Sequence, residues 1–181
     1  MSDPVSALGG RHYDGLAEIH EIGPLGMITL RGKELKRFDK AVKAAVGTKL
    51  PAQRHIEASG ENSCAWMSPD EYLLIMPYPR VAKALLAIAE ALKGEHHLAV
   101  DVSDARAVFR IEGAAAASVL RKLSPVDFEN LEPGEVRRTR AAQVAAALWQ
   151  HDDGYTLVCF RSVAGYMLGL LTHSATPGSG I

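Results

Sequence analysis

The sequence predicts an α+β protein built from two similar halves, each an antiparallel sheet with helices on one face and the order β-α-β-β-α. Two internal matches indicate this duplication. Residues 27–32 correspond to residues 108–113 at an offset of 81, and each segment precedes a helix-like stretch. The second match has an offset of 83 and joins Trp66, Tyr72 and Leu74 to Trp149, Tyr155 and Leu157. A loop absorbs a two-residue difference in length at small cost.

The first half is predicted at residues 15–98, from strand-like and helix-like apolar patterns. In chain order these are strands at 16–22 and 26–30, a helix at 33–46, hairpin strands at 64–67 and 72–76, and a helix beginning near Pro79. The helix at 33–46 is amphipathic, with basic residues on the face opposite its apolar residues. The Ser-Pro-Asp-Glu sequence between the hairpin strands is typical of a turn.

The second half is predicted at residues 99–173, with the same order of elements. They are a strand at 107–111, a helix at 113–123, a loop at 124–134, hairpin strands at 143–150 and 155–160, and a last helix capped by Ser162. The alanine-rich residues 141–147 have helical propensity, but their counterpart in the first half does not, so the repeat favours a strand. Residues 1–14 and 174–181 lack periodicity and are expected to be flexible tails.

Composition narrows the function classes. Apolar residues make up 48% of the 181 and charged residues 23%, which is typical of a folded globular protein. The net charge of −1 gives no basis for nucleic-acid binding, and no apolar run is long enough to span a membrane. Cys64 and Cys159 lie outside any CxxC spacing and are expected to be buried, reduced thiols. Together these features predict a cytoplasmic protein.

Motifs that would indicate catalysis are missing from the sequence. The seven histidines form no HxH, HxxxH or HExxH pattern, and no GxSxG, phosphate-binding loop or GxGxxG occurs. We therefore predict no catalytic, cofactor-binding or metal-binding residue. One local group, Asp101, Asp104 and Arg106, has the chemistry for acid–base work or carboxylate binding. The alternative is that these are turn residues with a local ion pair.

Two basic groups are candidates for contact with an acidic partner. Lys33, Lys36, Arg37 and Lys40 lie on the outer face of the predicted helix at 33–46. Arg138 and Arg140 are two residues apart in a predicted strand, and therefore share a face. Solvated surface charge is the alternative for both groups, and on a strand it would also discourage edge-to-edge aggregation.

Five stretches spread over residues 25–172 carry a family resemblance. They are residues 66–74 (WMSPDEYLL), 100–106 (VDVSDAR), 123–128 (LSPVDF), 139–143 (TRAAQ) and 161–164 (RSVA). In this order they resemble the gamma subunit of heterotetrameric sarcosine oxidase. Tyr72 stands where that family often has Trp, and Ser124 where it often has Cys; both changes are conservative in size and polarity.

The resemblance implies a fold similar to the folate-binding domain of aminomethyltransferases. It also implies a non-catalytic subunit of a complex that oxidatively demethylates sarcosine to glycine, with one-carbon transfer to tetrahydrofolate and electrons passing through flavin to oxygen. In such a complex the alpha, beta and delta subunits are the partners, and FAD, FMN, NAD, tetrahydrofolate and zinc belong to these other subunits. The alternative is a stand-alone folate-binding or aminomethyltransferase-like protein, for which Asp101, Asp104 and Arg106 are the candidate site.

Overall fold

The structure is a computed structural model that describes residues 4–33 and 37–179. The strands in these residues are β1 His12–Asp14, β2 Glu18–Ile22, β3 Leu25–Arg31, β4 Ile56–Ser59, β5 Asn62–Ser68, β6 Glu71–Pro77, β7 Leu98–Asp101, β8 Arg106–Glu112, β9 Val136–Ala141, β10 Val144–His151 and β11 Gly154–Phe160. The α-helices are α1 Phe38–Val46, α2 Val81–Ala91, α3 Ala116–Arg121 and α4 Ala164–Ala175.

The strands form two antiparallel sheets. The six-stranded sheet has the order β1-β2-β8-β11-β10-β9, and the five-stranded sheet has the order β4-β5-β6-β3-β7. Every pair of neighbouring strands is antiparallel. The predicted α+β class is confirmed, with extra strands at the margins of each sheet. Within the described residues, no helix combines the length and hydropathy needed to cross a lipid bilayer.

One strand of each sheet comes from the other sequence repeat. β2 precedes β3 in the chain but pairs with β8, and β7 precedes β8 but pairs with β3. The chain therefore divides into one unit, Pro24–Ser103, and a second that combines the residues up to Gly23 with those from Asp104 onward. This division differs from the predicted boundary between residues 98 and 99. The reason is that strand pairing, rather than order along the chain, determines the unit to which residues 15–23 and 99–103 belong.

In the unit Pro24–Ser103, α1 and α2 pack on one face of the five-stranded sheet. The core joins Ile28 and Leu74 of the strands to Val42 and Ile88 of the helices, and all four are fully buried. Helix α1 begins at Phe38, later than the predicted start at Lys33. Lys33 lies in a bend, and residues 34–36 lie outside the described residues. Its apolar stripe faces the sheet, as the helical spacing predicts.

In the other unit, α3 and α4 pack on one face of the six-stranded sheet. Ile19 and Phe109 of the strands join Leu120, Met167 and Leu171 of the helices in a fully buried core. Helix α3 covers only Ala116–Arg121 of the predicted 113–123.

The predicted cap at Ser162 is wrong. The last helix starts from a short 3-10 turn, Arg161–Val163, which contains Ser162, and the residue before α4 is Val163, whose side chain makes no capping bond. A turn that winds directly into the helix leaves Ser162 inside the turn rather than at the capping position.

Side-chain hydrogen bonds fix both described ends of the chain. The buried Glu21 carboxylate accepts hydrogen bonds from the Ser6 hydroxyl and the Ala7 and Gly10 amides, at 2.8, 2.9 and 2.8 Å. The Lys122 ammonium donates to the carbonyl oxygens of Ser174 and Ser179, each at 2.9 Å. The described parts of the predicted tails, 4–14 and 174–179, are thus joined to this unit, with β1 and the end of α4 inside them.

The alanine-rich segment forms strands, as the repeat predicts. β9 ends at Ala141 and β10 begins at Val144, so residues 142 and 143 form the turn of a hairpin. Ala142 has a φ of +50°, and Gly60, at the same place in the β4–β5 hairpin, has a φ of +59°. Glycine adopts this left-handed conformation freely, whereas an alanine is strained there.

Replacing Ala142 by glycine should therefore stabilise the protein. Relief of the left-handed strain exceeds the extra entropy that glycine gives the unfolded chain, and we expect a gain of about 0.5–1 kcal/mol in the free energy of unfolding. Urea denaturation of the purified chain measures it. The matched control, Gln143→Gly, lacks this relief because Gln143 has no positive φ, so it should lower the stability. An Ala142→Gly protein no more stable than the parent would contradict the assignment.

Candidate functional site

Residues of the 66–74 stretch stabilise a hairpin. The Ser68 hydroxyl donates to one carboxylate oxygen of Asp70 at 2.7 Å, and the Arg31 guanidinium donates to the other at 3.0 Å. The Ser68 hydrogen bond and the Arg31 guanidinium hold the pKa of Asp70 below its ordinary value. The Asp70 carbonyl oxygen also accepts from the Gly32 amide at 3.0 Å. These contacts join the turn between β5 and β6 to the end of β3, which is a structural role.

Asp101 also has structural contacts. Its carboxylate accepts hydrogen bonds from the Ser103 hydroxyl at 2.5 Å and the Ser103 amide at 2.9 Å. The Ser103 hydroxyl in turn accepts from the Met27 amide at 2.9 Å. Asp104 is exposed in the short turn that follows, and the Arg106 guanidinium lies 4.3 Å from the centroid of the Phe160 ring. Asp101 is therefore held in a local turn, which agrees with the alternative that these are turn residues rather than a binding or acid–base site.

The predicted basic face of the first helix is exposed where it is described. Lys33, Arg37 and Lys40 are exposed, and Lys36 lies outside the described residues. Arg37 is not a free charge, because its Nε lies 3.4 Å from a carboxylate oxygen of Glu95. Lys40 lies within α1, whereas Lys33 and Arg37 precede it, so these accessible basic side chains lie at and before the start of the helix.

The second predicted basic group lies on β9, an edge strand of the six-stranded sheet. Arg138 and Arg140 are both exposed on one face of this strand, as alternation predicts. The Arg140 guanidinium donates to the Gln143 side-chain oxygen at 2.8 Å. Arg137 points to the other face and pairs with Glu135.

An apolar groove lies between α2 and β7, and the sequence reasoning missed it. Leu86 is 72% exposed on the outer side of α2, and Leu98 is 51% exposed on β7, an edge strand of its sheet. The residues that line this α2–β7 groove are Ala82, Leu85, Leu86, Ala89, His97, Leu98 and Ala99. The available signal was Leu86, an apolar residue outside the helix's buried stripe. A contiguous exposed apolar patch, unlike scattered single leucines, is typical of a protein–protein interaction surface.

A cluster of carboxylates and imidazoles lies on the six-stranded sheet, and sequence spacing did not indicate it. His20 Nε2 is 3.3 Å from a carboxylate oxygen of Glu18 and 3.7 Å from one of Glu112. The other oxygen of Glu112 is 3.3 Å from His151 Nε2. Within this cluster, only Glu18 and His20 are close in sequence. Strand pairing brings Glu112 and His151 next to them.

Both cysteines are buried free thiols, as predicted. Burial raises the pKa of the Cys159 thiol to about 11, and burial also raises the pKa of Cys64 well above its usual value. A thiol is a strong nucleophile only when it is ionised, so neither group is activated near neutral pH.

Comparison with known proteins identifies the family. The family described as "Sarcosine oxidase, gamma subunit family" matches residues 33–176. Sarcosine oxidase subunit gamma from Arthrobacter sp. is 33% identical over 173 residues, covering 90% of this chain and 84% of that protein.

Two solved structures are similar in fold. A chain of heterotetrameric sarcosine oxidase from Corynebacterium sp. U-96, in complex with pyrrole 2-carboxylate, has a TM-score of 0.81 and 25% identity over 94% of this chain and 90% of that one. The glycine cleavage system aminomethyltransferase T from Bartonella henselae has a TM-score of 0.59 and 11% identity, over 83% of this chain and 44% of that one, which shows likeness of fold alone. The chain belongs to the sarcosine oxidase gamma subunit family.

Proposed function

We propose that this chain is the gamma subunit of a heterotetrameric sarcosine oxidase and that its role in the complex is structural. The observation that carries the proposal is the likeness to one chain of the Corynebacterium heterotetramer over nearly the full length of both chains. In this role the chain stabilises the larger, flavin-bearing subunits by burying apolar surface and matching charge.

The chemistry of the described residues supports a non-catalytic role. Asp70 and Asp101, the carboxylates of two family-like stretches, are engaged in hydrogen bonds that hold turns. The two thiols are buried and neutral. A catalytic site needs a reactive group and a partner facing a shared space, and these residues serve the fold instead.

The rest of the complex would supply the reaction. We propose that the alpha, beta and delta subunits are the partners and that they bind FAD, FMN, NAD, tetrahydrofolate and zinc. The complex would demethylate sarcosine to glycine in the cytoplasm, transfer the one-carbon unit to tetrahydrofolate and pass electrons to oxygen.

Three surfaces are proposed to contact these subunits. Two are the basic groups, with Lys33, Lys36, Arg37 and Lys40 in one and Arg138 and Arg140 in the other. The third is the α2–β7 groove, which we assign to an apolar segment of a larger subunit. Burial of a leucine such as Leu86 in that contact would contribute about 1.5–3 kcal/mol.

A second candidate function is folate binding or aminomethyl transfer by the chain alone. The likeness to aminomethyltransferase T favours it, but fold alone does not establish activity. Its candidate site would be Asp101, Asp104 and Arg106, and the first of these is already held by Ser103.

Experiments on the isolated chain distinguish the two candidate functions. We expect no sarcosine oxidation and no binding when the purified, homogeneous chain is titrated with tetrahydrofolate and followed by calorimetry, because the reacting groups would lie in other subunits. A saturable folate-binding curve without turnover would favour a binding module. Aminomethyl transfer by the isolated chain would favour the transferase.

The α2–β7 groove is tested by Leu86→Glu in cells that express all subunits. A charge in the contact should lower recovery of the larger subunits with the tagged chain about 10-fold or more, since 1.4 kcal/mol corresponds to a factor of ten. The free chain should keep its stability, because Leu86 is 72% exposed. The matched control is Leu16→Glu, at an exposed leucine of the other unit. Equal recovery with both variants would remove the groove from the contact.

A further inference from the structure

We propose that Glu18, His20 and Glu112 bind a divalent transition-metal cation of the Zn²⁺ class on the six-stranded sheet. The proposal concerns this chain's own residues and is independent of the proposed subunit role. Oxygen and imidazole ligands from these three side chains lie within 4.8 Å of one another. The sequence-based expectation of no metal-binding residue depended on local histidine spacing, which this cluster does not use.

Strand pairing brings the three side chains to one face. Glu18 and His20 are two residues apart in β2, so they point to the same side of the sheet. Glu112 on β8 is directly opposite Glu18 in the antiparallel register. Side chains of directly opposed residues project together on one face. The three ligands therefore converge through backbone geometry and not through a flexible loop.

The separations suit a shared cation. Zn²⁺ binds imidazole nitrogen and carboxylate oxygen at about 2.0–2.2 Å, so two ligand atoms in a tetrahedral site lie roughly 3.3–3.6 Å apart. His20 Nε2 is 3.3 Å from the Glu18 oxygen and 3.7 Å from the Glu112 oxygen. A cation can thus be accommodated by small side-chain rotations.

The local charge favours a cation. Asp14 on β1 is directly opposite Glu18, and Glu112 lies on its other side, so three carboxylates occupy adjacent positions of this face. Arg110, opposite His20, supplies one positive charge. Three carboxylates and one guanidinium leave a net negative face, which attracts a divalent ion.

His151 is placed to orient the Glu112 carboxylate. Its Nε2 lies 3.3 Å from the Glu112 oxygen that faces away from His20, and its side chain is only 13% exposed. A partner of this kind fixes the direction of a ligating carboxylate. The His12 ring stacks on the His20 ring, with centroids 6.1 Å apart, and limits the rotation of the ligand imidazole.

The ligand set indicates the class of metal. One imidazole with two carboxylates suits Zn²⁺, Co²⁺ or Mn²⁺, whereas Ca²⁺ prefers oxygen ligands alone. Two of the side chains, His20 and Glu112, are about one-third exposed. The cation would therefore keep bound water at its remaining positions.

The test is a Zn²⁺ titration of the full, untagged, chelator-treated chain by calorimetry. We expect one equivalent to bind to the parent protein, with affinity at least tenfold weaker in His20→Ala and in Glu112→Gln. His151→Ala should weaken binding by about tenfold, as expected for an orienting partner. The control is His173→Ala, which removes an exposed histidine outside the cluster and should leave the affinity unchanged.

Co²⁺ absorption gives an independent readout. Visible bands of a bound, low-coordinate Co²⁺ should appear with the parent and the His173→Ala variant and be lost in His20→Ala. Circular dichroism establishes that each variant is folded; if His20→Ala is not, Glu18→Gln alters a 64% exposed ligand and gives the same test. Equal affinity in the parent and the ligand variants, or no stoichiometric binding by the parent, would overturn the proposal.

Discussion

Antiparallel pairing between the two sequence repeats is the constraint on which the other features depend. β2 completes the sheet that contains β8, and β7 completes the sheet that contains β3. An unpaired strand edge exposes backbone donors and acceptors. β2, which precedes the first repeat's β3 in the chain, covers an edge of β8 in the second repeat, and β7, which precedes β8, covers an edge of β3 in the first. The pairing of β7 with β3 also brings Ser103 to the Met27 amide, and the pairing of β2 with β8 brings Glu18 to Glu112.

The sequence predicted those elements whose pattern is local. Helical spacing located α1 and α2, and the match between repeats correctly overruled the helical propensity of residues 141–147. Alternation shows which residues share a face, but it does not show which strand pairs with which, so the exchange of β2 and β7 was not predicted. For the same reason the cluster of Glu112 with His20 required the strand register. The α2–β7 groove was missed because helical spacing identifies the buried stripe of α2 but does not show that Leu86 lies beside Leu98 of β7.

Several polar residues of the family-like stretches stabilise turns of the fold. Ser68 and Asp70 hold one hairpin turn, and Asp101 with Ser103 holds the segment between β7 and β8. The Asp70 and Asp101 carboxylates therefore hold local turns of the fold. The accessible surface of the described residues includes the basic side chains at and before the start of α1, two arginines on β9 and the α2–β7 groove.

The proposed subunit role requires that this chain co-purify with the larger chains of a flavin oxidase. The most direct measurement is to tag the chain, purify it from its native cells, and record the subunit composition and absorption spectrum of the material that co-purifies. We expect a yellow complex that contains larger chains and forms peroxide when sarcosine is added. A colourless, lone chain that binds tetrahydrofolate would contradict the proposed subunit role.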